Sequence, residues 1–175
     1  MKKSKKLAIS AIFASLGAVV LLLGSLIDVL DISAAFVASL CVLFVLCELG
    51  LPWAFGTYIV TSTLSLLIVP GSRLAGILFS LIFGLLPITK MLFERLGAKT
   101  HPALAYVCKI ALFNVELVVL WLLARTLLEI PDKTWMIILG AVLSNVIFVL
   151  ADIFYGVLVR IYFNRIRKKI SRFLK

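Results

Sequence analysis

Five polar residues interrupt two otherwise apolar stretches of this 175-residue chain: Lys109, Asn114 and Glu116 in the first, Asn145 and Asp152 in the second. An ionisable group at the middle of an apolar helix costs on the order of 2.5–3.5 kcal/mol on membrane-insertion scales, so each needs a partner. Lys109 and Glu116 stand seven residues apart, as do Asn145 and Asp152. That spacing puts each pair on one helix face, two turns apart. The short polar turn Glu129-Ile130-Pro131-Asp132 joins the stretches, so they should pack antiparallel. Residues at equal depth in such a hairpin share an index sum. Lys109 with Asp152 and Glu116 with Asn145 both give 261, as does Leu128 with Lys133 across the turn. The register sets a cation against an anion and a carboxyl against an amide.

Two kinds of chemistry fit this set. One is a clamp that satisfies buried polar groups and pairs the helices. The other is a proton or ion relay of the kind found in pumps. A relay needs further titratable groups along a path, and the single histidine, His101, falls in a loop. The clamp fits better.

Other residues are candidates for ligand contact. Tyr58 and Trp121 could stack on a planar molecule, or simply meet lipid and core. Arg73 and Arg125 stand near an edge that also collects Asp28, Asp31, Glu129, Asp132 and Lys133. There they would either meet an anionic ligand at a polar mouth or join solvated caps and loop ion pairs. Trp53 and Trp135 read as interfacial belt residues, and Glu48 and Lys90 as side chains snorkelling from helix ends. The sequence has no Ser/His/Asp set, no paired carboxylates, no metal-ligand spacing and no Gly-rich Lys-Ser/Thr loop for a nucleotide. Cys41, Cys47 and Cys108 are scattered through apolar runs, which suits neither a disulfide framework nor a metal cluster. The expectation is a non-enzyme with no cofactor and no metal.

The elements that must position these residues follow from composition. Hydrophobic residues make up 63% of the chain and charged ones 15%. A soluble domain holds roughly 45–50% apolar residues, and the excess has no place in water. The apolar runs predict an all-α, polytopic membrane protein: one six-helix domain with helices at about 7–27, 32–50, 52–69, 73–93, 102–128 and 133–162, and a basic tail over 163–175. Pro52 and Pro102 suit first helical turns, where a missing N–H costs little. Pro70-Gly71-Ser72 punctuates a turn. The first helix reads as uncleaved, being longer than a signal core and lacking a small-x-small site after it.

Lys and Arg outnumber Asp and Glu by 18 to 8. The excess abuts apolar helices at Lys2, Lys3, Lys5, Lys6 and again from Arg160 to Lys175, the pattern of a flank on anionic lipid and not of a nucleic-acid surface. With both termini cytoplasmic, fourteen Lys/Arg fall inside against Arg73, Arg125 and Lys133 outside. The positive-inside rule selects that orientation in the cell (plasma) membrane.

The first helix carries Ser10, Ala14 and Ala18 at spacing four, with Ala11 and Gly17 beside them. Small-xxx-small stripes let membrane helices approach closely. On this stripe, six helices and cytoplasmic ends, the chain resembles the substrate-binding S components of energy-coupling factor (ECF) vitamin transporters. The resemblance implies a bacterial small-molecule uptake component, docked through Ala14 and Ala18 on a transmembrane coupling subunit and energised by separate ATPase subunits. Signatures of the thiamine, riboflavin, folate or biotin members are missing. Three blocks, Gly84–Lys90, Lys109–Asn114 and Asn145–Phe148, are similar to a family of small uncharacterised bacterial membrane proteins. The alternatives are a non-transporting scaffold subunit of a cell-envelope or cell-shape complex, and a proton-linked carrier using Lys109, Glu116 and Asp152.

Overall fold

In lipid every backbone N–H and C=O must be satisfied within the chain, which leaves helices as the economical solution for apolar runs of this length. The computed structural model describes residues 2–68, 74–98, 101–128 and 134–167, and among them every regular element is helical. Helix α1 covers Lys3–Ser25, α2 Asp31–Leu49 and α3 Leu51–Ile68. The fourth span is built from α4 (Leu74–Leu78), a π-helical segment Phe79–Phe83 and α5 (Leu86–Gly97). Helix α6 covers Pro102–Leu128, and α7 covers Thr134–Ile161 and continues into a second π-helical segment, Tyr162–Ile166. Among the described residues, six helices are long and apolar enough to cross a membrane.

Two bounds differ from the sequence reading. Helix α1 starts at Lys3 and not near Leu7, so the lysines belong to its first turns, where long stems let the ammonium groups reach water. The fourth span is not one continuous α-helix: Pro87 has no N–H to give the Phe83 carbonyl, and the helix restarts around it.

The contacts divide the chain into two compact units, Lys2–Ala105 and the residues from Tyr106 onward. In the first, α1 packs on α2 and α3. Its inward stripe is Ser10, Ala14, Gly17, Leu21 and Gly24, all buried. It meets Ala34 and Ala38 of α2 and a ladder of hydroxyls on α3. Thr61 Oγ1 donates to the Ala14 carbonyl at 3.1 Å, and one turn earlier Thr57 Oγ1 reaches the Ser10 carbonyl at 3.5 Å. Phe13 stacks on Phe44 with ring centroids 4.3 Å apart. Small residues set the distance here: a Cβ at Gly24 would overlap the Ala34 methyl, and one at Gly17 would lie 3.1 Å from Thr61 Cγ2. Between α2 and α3 the chain turns on Gly50, whose φ of 91° is open only to glycine at little cost.

Asp31 departs from its reading as a solvated loop residue. It lies in the first turn of α2 and is only 2% exposed. The positive end of the helix dipole favours a carboxylate there.

Candidate functional site: the polar hairpin

Helices α6 and α7 bring the sequence-predicted pair together. Lys109 Nζ lies 2.9 Å from Asp152 Oδ1, with the two side chains 8% and 15% exposed. The index sum of 261 recurs one turn along: Phe113 and Phe148 stack with centroids 4.4 Å apart and planes at 23°. Depth and register of the hairpin therefore follow the sequence arithmetic.

The amide does not. Asn145 pairs with Asn114, and Glu116 is half-buried with no hydrogen bond or ion pair among the described residues. Asn114 Nδ2 donates to Asn145 Oδ1 at 3.1 Å, and Asn145 Nδ2 returns a bond to Asn114 Oδ1 at 3.2 Å. Each amide nitrogen also donates backward one turn, Asn114 to the Ile110 carbonyl at 2.8 Å and Asn145 to the Ala141 carbonyl at 2.9 Å. Two carboxamides thus satisfy all four of their N–H groups, which a carboxylate facing an amide cannot do. Equal index sum fixes only depth along the axes. Asn114 is two residues from the depth of Asn145, a rise of about 3 Å, which an amide side chain spans. The sequence held this signal in a second Asn near the right depth.

An ion pair and a closed amide pair, flanking a stacked Phe pair, are the composition of a clamp. The polar atoms neutralise or satisfy one another inside the hairpin. Interhelical hydrogen bonds in membranes average about 0.6 kcal/mol and reach about 1.7. Asn114→Ala is therefore expected to lower the hairpin's stability within roughly that range, read as earlier melting in detergent. Glu116→Gln should leave melting unchanged. A larger loss from Glu116→Gln than from Asn114→Ala would reverse the assignment.

The remaining candidates are more dispersed. The Tyr58 hydroxyl donates to the Ser80 carbonyl at 2.6 Å, and its ring lies 5.9 Å from Phe55 and 6.2 Å from Phe79. Tyr58 is thus half-buried core of the first unit. In the second unit, the exposed Arg125 guanidinium sits 5.6 Å from the centre of the Trp121 ring, a cation–π contact. Arg73, with Glu129, Asp132 and Lys133 of the suggested outer mouth, lies outside the described residues. Lys90 forms an ion pair with Glu94 at 3.0 Å on its own helix. Trp135 is 59% exposed and Trp53 half-buried.

The expected docking pair on α1 is split. Ala14 is 2% exposed, covered by α3, and Ala18 is half-buried. A 100° step per residue turns Ala14 inward with Ser10 and Gly17, because the hydroxyl ladder of α3 uses that stripe. Ala8, Ala11 and Ser15 are the small residues on the exposed face. Among the described residues no group of three or more His, Cys, Asp or Glu could hold a metal ion. Known protein families, characterised proteins and solved structures give no match to this chain.

Proposed function

We propose that this protein is the substrate-binding membrane component of a small-molecule uptake transporter of the ECF type. It would lie in the plasma membrane with both termini cytoplasmic, perform no enzymatic step, and be energised by separate ATPase subunits. The observation that carries the reading is the two-sidedness of α1. Its inward small residues pack the chain's own helices, while Ala8, Ala11 and Ser15 are presented outward. Small side chains toward lipid gain nothing, since lipid tails pack equally well on Leu; they matter where a second helix must come close. The docking face is accordingly Ala11 and Ser15, with half-buried Ala18 at its margin, and not Ala14. Trp121 and Arg125 of the second unit, and Arg73, are the ligand-contact candidates; Tyr58 belongs to the core of the first unit.

A scaffold subunit of an envelope complex is the second reading. It is favoured by the hairpin, whose clamped polar pairs resemble a structural joint more than a path.

Purification in mild detergent separates the two. The uptake reading expects ATPase subunits and a bound small molecule to accompany the protein; recovery with envelope-assembly proteins and no ATPase would favour the scaffold. Orientation has its own test in intact cells. Single cysteines at Ser4, Lys99 and Ser171 should resist an impermeant outside label, and one at Asp132 should react. Labelling at Ser171 from outside would overturn the orientation.

A further inference from the structure

The sixth span ends in charged turns that neither the uptake reading nor the clamp uses. Few residues of the stretch Ile137–Arg165 are buried inside the protein, which in a membrane leaves its surface to lipid. Arg160 stands five residues before the end of that stretch and is exposed. A guanidinium there needs acceptors, and hydrocarbon offers none. The chain does not supply them. No acidic residue follows Asp152 in the sequence, and Asp152 is engaged by Lys109. Among the described residues neither Arg160 nor Arg165 forms an ion pair.

These turns are also shaped. Arg160, Phe163, Asn164 and Arg167 follow the spacing i, i+3, i+4, i+7, which places them on one helix face. All four are exposed, while Tyr162, 8% exposed, turns inward and meets the Phe163 ring edge-on at 5.8 Å. The turn is of π type, with the Arg167 N–H donating to the Tyr162 carbonyl five residues back. Side chains on a helix lean toward its N-terminus, so Arg167 is directed back toward Arg160. Its guanidinium lies over the Phe163 ring, 5.0 Å from the centroid. A guanidinium held against a ring is restrained before any ligand arrives.

We infer that this face binds the phosphate of one anionic phospholipid. Arg160 reaches along the helix on its long stem, and Arg167 closes on the same phosphate from about 10 Å further along the axis. The Asn164 amide stands between them as a further donor. The arginine fork matches phosphate oxygens two at a time. Phe163 and Ile161, 39% and 43% exposed, offer apolar surface to the acyl chains. Three arginines with no acid beside them favour an anionic headgroup over a zwitterionic one, whose ammonium they would repel. A diffuse basic flank attracts lipid by charge count alone, whereas this site depends on which residues carry the charge. It rests on the membrane reading of the span and not on uptake.

Native mass spectrometry of the whole protein, released from micelles holding equal phosphatidylglycerol and phosphatidylcholine, tests the site. The wild type should retain phosphatidylglycerol in preference. Arg160→Lys with Arg167→Lys keeps the charge and removes both forks. It should weaken retention about tenfold, the scale of one lost charge-assisted hydrogen bond. Phe163→Leu, also without change of charge, should weaken it in the same direction. Lys3→Gln with Lys5→Gln removes two exposed charges from α1 and should cost less. All these substitutions replace exposed side chains, and melting in the same micelles checks that each variant is folded. Equal retention of the two lipids by the wild type would overturn the site, as would an undiminished preference in Arg160→Lys with Arg167→Lys. A loss in Lys3→Gln with Lys5→Gln as large as in the arginine variant would reveal a diffuse flank and overturn it too. Release of the retained lipid by inorganic phosphate would assign the arginines to a free anion, against the lipid assignment.

Discussion

Lys109→Ala should destabilise the protein by about 3–5 kcal/mol, the scale for breaking a buried ion pair by removing one partner. Asp152, only 15% exposed, would lose the ammonium that faces it between two apolar helices. Asp152→Ala should cost a similar amount, by taking the carboxylate away from a lysine that is 8% exposed. The loss is the penalty of the abandoned charge more than the worth of the bond. Lys109→Ala with Asp152→Ala together should therefore recover part of it, and Lys109→Met with Asp152→Leu more, because well-packed apolar residues often replace a buried pair at no net cost. Reversible unfolding in mixed micelles, followed by tryptophan fluorescence, gives the four corners of the cycle. Strictly additive losses would show that the two residues do not act as a pair.

The second large effect belongs to the small residues that α1 turns toward α2 and α3. Gly24→Leu cannot be accommodated, since even a Cβ would overlap the Ala34 methyl. Ala14→Leu pushes a bulky side chain into the contact bridged by the Thr61 hydroxyl. Overpacking of this kind costs roughly 1–3 kcal/mol, and more where backbones must separate. Gly56 and Gly140 provide the control, because a Cβ at either meets nothing within 4 Å. Gly→Ala at these helical positions should be neutral or stabilising by about 0.4–1 kcal/mol. Melting temperatures in one detergent rank the four variants. A Gly24→Leu protein that melts with the wild type would contradict the packing of α1 on α2.

What the sequence made legible was the part governed by period and depth. Long apolar runs marked six helices, and the index sum placed Lys109 on Asp152, a register that the Phe113–Phe148 stack turns out to share. What it hid depended on azimuth and on residues far apart in the chain. Equal depth suggested Glu116 for Asn145, but the amide that faces it belongs to Asn114. The stripe of α1 was visible, yet whether Ala14 points to its own chain or away is decided by Thr57 and Thr61, some 47 residues later. The break in the fourth span was announced only by Pro87. The Tyr58 ring of α3 lies where a Cβ at position 84 would stand, a contact that no local pattern encodes. The burial of Asp31 has no local signal, since an acidic residue beside a turn ordinarily reads as solvated.

The uptake proposal turns on the outward face of α1, and one comparison addresses it most directly. Ala11→Leu with Ser15→Leu adds bulk only where side chains are exposed, whereas Ala14→Leu adds it inside. Each variant is purified in mild detergent, its melting temperature measured, and the ATPase subunits that accompany it quantified against wild type. The expected result is that the Ala11/Ser15 variant melts like wild type and comes away without its partner, while Ala14→Leu loses melting temperature first. An Ala11/Ser15 variant that retains its full complement of partner subunits would contradict the docking face, and with it the uptake reading.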